Sequence, residues 1–250
     1  MHILLTNDDG IFAPGIRALG EALTAAGHRV TVSAPDRERS AASHSVALGK
    51  PLQAAETKLD WAERAWAVSG TPSDCASIGL FLTRDDPPDA VLAGINRGMN
   101  MGGACVYSGT VASALEASMC GAQAMAVSLC VEDWGVETDF GPAARVALRV
   151  LDWMRAHPLP LGVIYSLNVP QLPFEAIRGI AAAKLAPVFL DEPYYESAPE
   201  GGWLYRGRGR DFDPTGTDVG LCRQGFATMT KLTWDFRLNA DDSELNEIEL

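Results

Sequence analysis

His2-Ile3-Leu4-Leu5-Thr6-Asn7-Asp8-Asp9-Gly10 sets an apolar run directly against a turn-forming cluster. The run has the length of a buried strand, and Asn-Asp-Asp-Gly is the kind of sequence that ends a strand in a loop. Beyond it, Gly15–Ala26 places Ile16, Leu19, Leu23 and Ala26 on one helical face. Gly27 follows where a helix end favours a left-handed residue. Arg29–Ala34 is a second β-rich run, stopped by Pro35. Strand, helix and strand in this order predict a βαβ unit with parallel pairing and a right-handed crossover.

The alternation continues along the chain. Trp66–Ser69 reads as a strand, and Thr71-Pro72-Ser73-Asp74 as a helix start with Thr at the cap, Pro at the first position and Asp as the capping-box carboxylate. Ala76–Leu82 extends that helix. Asp89–Ile95 is a strand, Ser108–Met119 a helix closed by Gly121, and Ala124–Cys130 a further strand. Pro142–Ala156 is an amphipathic helix, and Val163–Val169 a strand before Pro170. This pattern predicts an α/β fold, Rossmann-like and doubly wound, with a mostly parallel sheet covered by helices on both faces.

The character changes after Pro170. Residues 180–218 are rich in Gly, Pro, Arg and aromatics and read as a C-terminal β-hairpin or excursion, an arm suited to oligomerisation. Phe226–Trp234 alternates as an antiparallel strand would, and the last ten residues carry five carboxylates. The expected organisation is one domain over 1–250. Its core is 1–170, and 171–250 supplies the arm, a closing strand and an acidic tail.

The bulk numbers limit the function classes. A chain of 250 residues, 47% hydrophobic and 21% charged, can bury a sizeable core. No run approaches the ~18 apolar residues of a spanning helix. Asp8 and Asp9 interrupt the N-terminus before a signal segment develops, so the sequence reads as cytoplasmic. A net charge of −12 disfavours nucleic-acid polymers. Arg206, Arg208 and Arg210 form the one basic cluster and read as a solvated loop. The five cysteines are odd in number without CxxC spacing, and the four histidines form no HxxxH pair, so neither a disulfide framework nor a zinc site is supported.

Three loops follow the carboxyl ends of predicted parallel strands, the edge where open α/β sheets bind ligands. The first holds Asn7, Asp8 and Asp9. Adjacent carboxylates repel, so burying them calls for a cation, and hard Mg²⁺ or Mn²⁺ suits oxygen donors. The competing reading is a solvated turn. The second loop runs from Asp36 to His44. Here Ser40 offers another oxygen, Arg37 and Arg39 meet either phosphate or solvent, and His44 serves as a general acid or makes a structural hydrogen bond. The third starts at Gly94-Ile95-Asn96-Arg97-Gly98-Met99-Asn100, whose glycines permit close backbone approach to a ligand and whose Asn96 carbonyl is a neutral ligand. It ends at Tyr107-Ser108-Gly109-Thr110, before a helix. The free amides and dipole there suit phosphate, although a plain Ser/Thr cap reads equally from the residues.

These segments together resemble the SurE family, stationary-phase survival proteins that act as 5′-nucleotidases. The matching stretches are Ile3–Gly10 with Ala13–Ile16, Ala34–Arg37 with Arg39 and Ser40, Ser69–Cys75, Gly94–Asn96 with Gly98 and Asn100, Tyr107–Val111, Asn168–Pro170, and Thr217-Asp218. The resemblance spans nearly the whole chain and departs mainly in 180–218 and the acidic tail. It implies a metal-dependent phosphatase acting on nucleoside 5′-monophosphates. A divalent cation, Mg²⁺ or Mn²⁺, would be held by Asp8, Asp9, Ser40 and Asn96. Asp8, Asp9 and Asn96 would serve catalysis, and Ser108, Gly109 and Thr110 would hold phosphate. It also implies a cytoplasmic homodimer or homotetramer with exchanged C-terminal segments, and no membrane partner.

Three alternatives stand beside it. A covalent aspartyl-phosphate phosphatase could use Asp8, although Asn7 and Gly10 depart from the Asp-x-Asp arrangement. A nucleotide-sugar glycosyltransferase shares the Pro-Gly…Ala-Gly-His-Arg-Val pattern of residues 14–30, in a chain short for two Rossmann units. A non-catalytic nucleotide- or metal-binding module is the third, and the absence of G-x-G-x-x-G after the first strand disfavours a dinucleotide.

Overall fold

A computed structural model describes residues 1–131, 135–187, 192–208 and 212–235. In chain order the elements are β1 (His2–Thr6), α1 (Pro14–Ala25), β2 (Arg29–Pro35), β3 (Ala54–Glu56), β4 (Arg64–Val68), α2 (Pro72–Leu82), β5 (Ala90–Arg97), α3 (Gly109–Met119), β6 (Ala124–Cys130), α4 (Gly141–Met154), β7 (Val163–Pro170), β8 (Ile180–Ala182), β9 (Glu192–Ser197), β10 (Trp203–Arg208), α5 (Asp218–Arg223) and β11 (Ala227–Thr233). A 3-10 turn over Gly102–Val106 joins β5 to α3.

Among the described residues, nine strands form one sheet in the order β3-β4-β2-β1-β5-β6-β7-β11-β8. The run from β4 to β7 is parallel, β3 and β11 are antiparallel to their neighbours β4 and β7, and β8 runs parallel to β11. The winding reverses between β1 and β5, which makes the carboxyl ends of these two strands the switch point of the sheet.

The strand β1 shows why the sheet needs helices on both faces. Ile3 and Leu5 pack with Ile16, Leu19 and Leu23 of α1 and with the apolar stripe of α4, from Ala143 to Met154. Leu4, one residue out of phase, packs with Ala76 of α2 and Val111, Ala114 and Ala117 of α3. Alternation within a wholly apolar run thus feeds two cores.

The predicted helix start at Thr71 is present in full. Its hydroxyl accepts from the Asp74 N–H, and the Asp74 carboxylate accepts from the Thr71 N–H at 2.9 Å. The same carboxylate accepts from the Ala47 N–H, so this cap also fixes the loop before β3. Thr71→Ala should lower stability by about 1–2 kcal/mol, read as a lower urea midpoint with an unchanged slope.

Several boundaries differ from the sequence reading. The helix expected over Pro142–Ala156 ends at Met154, and the one expected from Ser108 starts at Gly109 with Ser108 as its cap. Three short elements, β3, β8 and α5, carried no periodic signal of their own. The region 180–218 does contain a hairpin: β9 and β10 pair antiparallel as a separate two-stranded sheet. Arg210 and the acidic tail lie outside the described residues.

Candidate active site

The loop after β1 is shaped by Asn7. Its amide donates to Gly10 O at 2.9 Å and its carbonyl accepts from the Gly10 N–H at 3.2 Å. Gly10, at φ 102, takes the left-handed backbone that this tight closure demands. Asn7 therefore holds the turn from which Asp8 and Asp9 project.

The other two loops meet this turn. The Arg39 N–H donates to Asp8 O at 2.7 Å, tying the Asp36–Ser40 loop to the aspartates. The Arg97 N–H donates to Asp9 Oδ2 at 3.3 Å, so the end of β5 abuts the second aspartate. At the start of α3, Thr110 Oγ1 donates to Asp8 Oδ1. A Cβ built on Gly109 would lie 2.9 Å from Asp8 Cβ and 3.0 Å from Asp8 Oδ2. No larger residue at 109 could let this helix end approach Asp8 so closely.

The electrostatics follow from this crowding. Asp8 is only 5% exposed. Burial raises its carboxyl above the usual range, against the lowering effect of the Thr110 hydrogen bond. Burial, and next the neighbouring Asp8 charge, push Asp9 up to about 7. Glu38 adds to both shifts, a third carboxylate facing the pair that the sequence reading passed over. Two desolvated carboxylates with so little positive charge beside them make a site that a cation would relieve.

The remaining predicted residues sort as follows. Asn96 donates its amide to Gly98 O at 2.9 Å, which leaves its carbonyl oxygen as the group available to a cation. Ser40 is exposed and donates to Glu38 Oε1 at 2.6 Å, a contact that places it beside the carboxylate facing the pair. The donor set of two carboxylates, a hydroxyl and an amide oxygen is all oxygen, which fits a hard divalent cation. Ser108 caps α3 by accepting from the Val111 N–H at 3.0 Å, as the plain cap reading expects.

Other readings are redirected by the structure. Arg39 donates to Ser69 O at 3.0 Å and pairs with Asp36, bracing its own loop. His44 pairs with Glu116 at 2.9 Å, the structural option of its two. The glycines of 94–98 were expected to admit a ligand. Gly94 instead admits backbone: at φ 132, its Cβ would sit 2.2 Å from Val127 O. The β5–β6 register shifts between Ala93 and Asn96 at this point.

Comparison with known proteins identifies the family. The family model described as survival protein SurE matches residues 3–190. The chain is 38% identical to the 5′-nucleotidase SurE of Thermosynechococcus vestitus, covering 99% of this chain and 96% of that protein. It is 41% identical to the 5′-nucleotidase SurE of Aeromonas hydrophila, over 94% of this chain and 93% of the other. The crystal structure of the SurE protein from Aquifex aeolicus superposes with a TM-score of 0.81 at 30% identity, covering 99% of this chain and 97% of that one. A match over most of the length, in sequence and in fold, places this chain in the SurE family.

Proposed function

We propose that this chain is a metal-dependent 5′-nucleotidase that hydrolyses nucleoside 5′-monophosphates to nucleoside and phosphate. The observation that carries the reading is the pair of buried aspartates at the switch point, pressed against the first turn of α3. Asp8, Asp9, Asn96 and Ser40 would hold the divalent cation, Mg²⁺ or Mn²⁺. Bound there, the cation would offset negative charge on the phosphoryl oxygens. The amide of Gly109 and the hydroxyl of Ser108 would orient the phosphate, at a helix start whose N–H groups lack intrahelical partners, while Thr110 completes that turn with its own N–H directed to Asp8. Thr110 fixes Asp8 through its hydroxyl, and Asn7 fixes the turn beneath both aspartates. Water would then attack phosphorus opposite the nucleoside oxygen. The test is phosphate release from a panel of nucleoside 5′-monophosphates with Mn²⁺ or Mg²⁺, each with a chelator control. No release with any metal would refute the reading.

Metal binding and protonation compete at Asp9. Its carboxyl is ionised only above about 7 in the metal-free protein. Apparent Mn²⁺ affinity should therefore fall about tenfold per pH unit below that value and level off above it, as measured by calorimetry. An affinity that is flat from pH 5 to 8 would contradict the placement of the cation at Asp9.

We also read the β9–β10 hairpin as the arm that joins copies into a homodimer or homotetramer. Tyr195, Trp203 and Leu204 are exposed on it, a combination that suits an interface. Light scattering should give a mass at least twice that of the chain, and a lone monomer would refute this.

Among the described residues, no helix is long and apolar enough to cross a membrane.

A further inference from the structure

The stretch from Arg97 to Tyr107 links the proposed metal ligand Asn96 to the proposed phosphate loop. It is pinned from outside at alternate residues. The Gly98 N–H donates to Leu129 O at 2.9 Å. Asn100 is gripped by the side chain of Asn168: its N–H donates to Asn168 Oδ1 at 2.9 Å, and its carbonyl accepts from Asn168 Nδ2 at 3.0 Å. One amide side chain thus takes the place of a strand partner. The Gly102 N–H donates to Asp218 Oδ2 at 2.8 Å.

The last contact differs from the others. Asp218 is 1% exposed, at the start of α5. Its second oxygen, Oδ1, accepts from the Ala186 N–H at 2.8 Å and from its neighbour Val219 at 2.9 Å. Burying a carboxylate is costly unless hydrogen bonds to both of its oxygens replace the lost water. Both are in use here, on two segments far apart in sequence. Gly102 opens the 3-10 turn Gly102–Val106, whose capping residue Tyr107 directly precedes Ser108. Ala186 stands in the segment that precedes the β9–β10 hairpin.

We propose that Asp218 is a positioning residue for the phosphatase reaction. Its carboxylate fixes the start of the turn that delivers Ser108, Gly109 and Thr110 to the phosphate, and fixes that turn to the segment preceding the hairpin. Asn168 acts in the same sense one step earlier in the loop. The inference rests on the phosphatase reading above. An amide at 218 has one acceptor oxygen and an NH2 group that only donates, so it can satisfy only one of the two segments.

The test compares Asp218→Asn with Thr217→Ala. Thr217 caps α5, accepting from the Gly220 N–H at 3.1 Å, and has no bond to the active-site loop among the described residues. A merely structural lesion lowers the folded fraction and hence the apparent kcat, while KM stays at the wild-type value. A displaced phosphate loop raises KM as well. Asp218→Asn should lower kcat/KM for a nucleoside 5′-monophosphate by roughly 10- to 100-fold, with KM raised. Thr217→Ala should leave KM unchanged. An unchanged KM in Asp218→Asn, or the same rise in Thr217→Ala, overturns the inference. Should Asp218→Asn fail to fold, hydrogen exchange of the wild type decides. The Gly102 and Ala186 amides should both be protected, and a Gly102 amide exchanging as fast as an open loop overturns the assignment. Wild-type turnover is measured first: no release at all overturns the phosphatase reading and this inference together, whereas wild-type release with normal KM in Asp218→Asn removes this inference alone.

Discussion

Asp9→Asn is expected to leave the fold intact and to lower metal-dependent phosphate release by roughly 1,000-fold, since removing a single group aimed at transition-state charge already costs about that much. The substitution keeps the shape of the side chain and its contact with the Arg97 N–H. It removes the charge that would hold the cation. Its effect on stability should run the other way. In the metal-free protein the Asp9 carboxyl titrates near 7, against 3.8 for an ordinary aspartate. The folded chain therefore binds this proton more tightly than the unfolded chain. The associated stability is fully present below about 3.8 and is lost as pH rises through about 7, leaving a deficit on the order of a few kcal/mol. Asn has no such titration. In chelator at pH 8, Asp9→Asn should denature at the same urea concentration as the wild type or a higher one, and the gap should narrow as pH falls through 5 toward 4. An active Asp9→Asn protein would remove the proposed mechanism. A variant less stable than wild type at pH 8 would show that the aspartate pair is not under the electrostatic load described.

Gly94→Ala and Gly15→Ala should each destabilise the protein by about 3 kcal/mol or more, the first through backbone conformation and overpacking, the second through overpacking alone. Gly94 has φ 132, and its added methyl would meet Val127 O at 2.2 Å. Gly15 approaches from the other side, where a methyl would lie 1.9 Å from Ile95 O. The irregular step in β5 is thus gripped by β6 and by the first turn of α1, with no room on either side. Asn96 follows directly, so any folded fraction of either variant should also bind metal more weakly. Thermal denaturation with and without Mn²⁺ measures both effects. A variant as stable as wild type would show that the strand can shift, and that the position of Asn96 is less constrained than the contacts imply.

What was legible in the sequence depended on whether a residue's role is local. The runs His2–Thr6 and Ala124–Cys130 matched their strands residue for residue, because a continuous apolar stretch bounded by turn residues leaves little choice of end. The Thr71–Asp74 cap was equally plain, since all its partners lie within one turn. β3 and β8 are three residues each and exist because a neighbouring strand offers hydrogen bonds, which no local pattern announces. The same division holds at the site. That the aspartate pair follows β1, that Asn96 lies at the end of β5 and that Ser108–Thr110 start α3 could be read from type and position. That Gly94 serves strand packing rather than a ligand, that Arg39 braces its own loop, and that Glu38 faces the aspartates depend on contacts across the fold. Asp218 could be read only as part of a family match, because its partners are amides 116 and 32 residues away.

The aspartate turn grows from β1, which lies between β2 and β5 and is clamped by helices above and below. Warming should loosen the margins first: the brief strands at either border of the sheet and the outlying hairpin. An enzyme that has begun to fray there would still turn over substrate, so early spectroscopic signs of melting should precede inactivation. Loss of activity on heating would then report collapse of the centre itself.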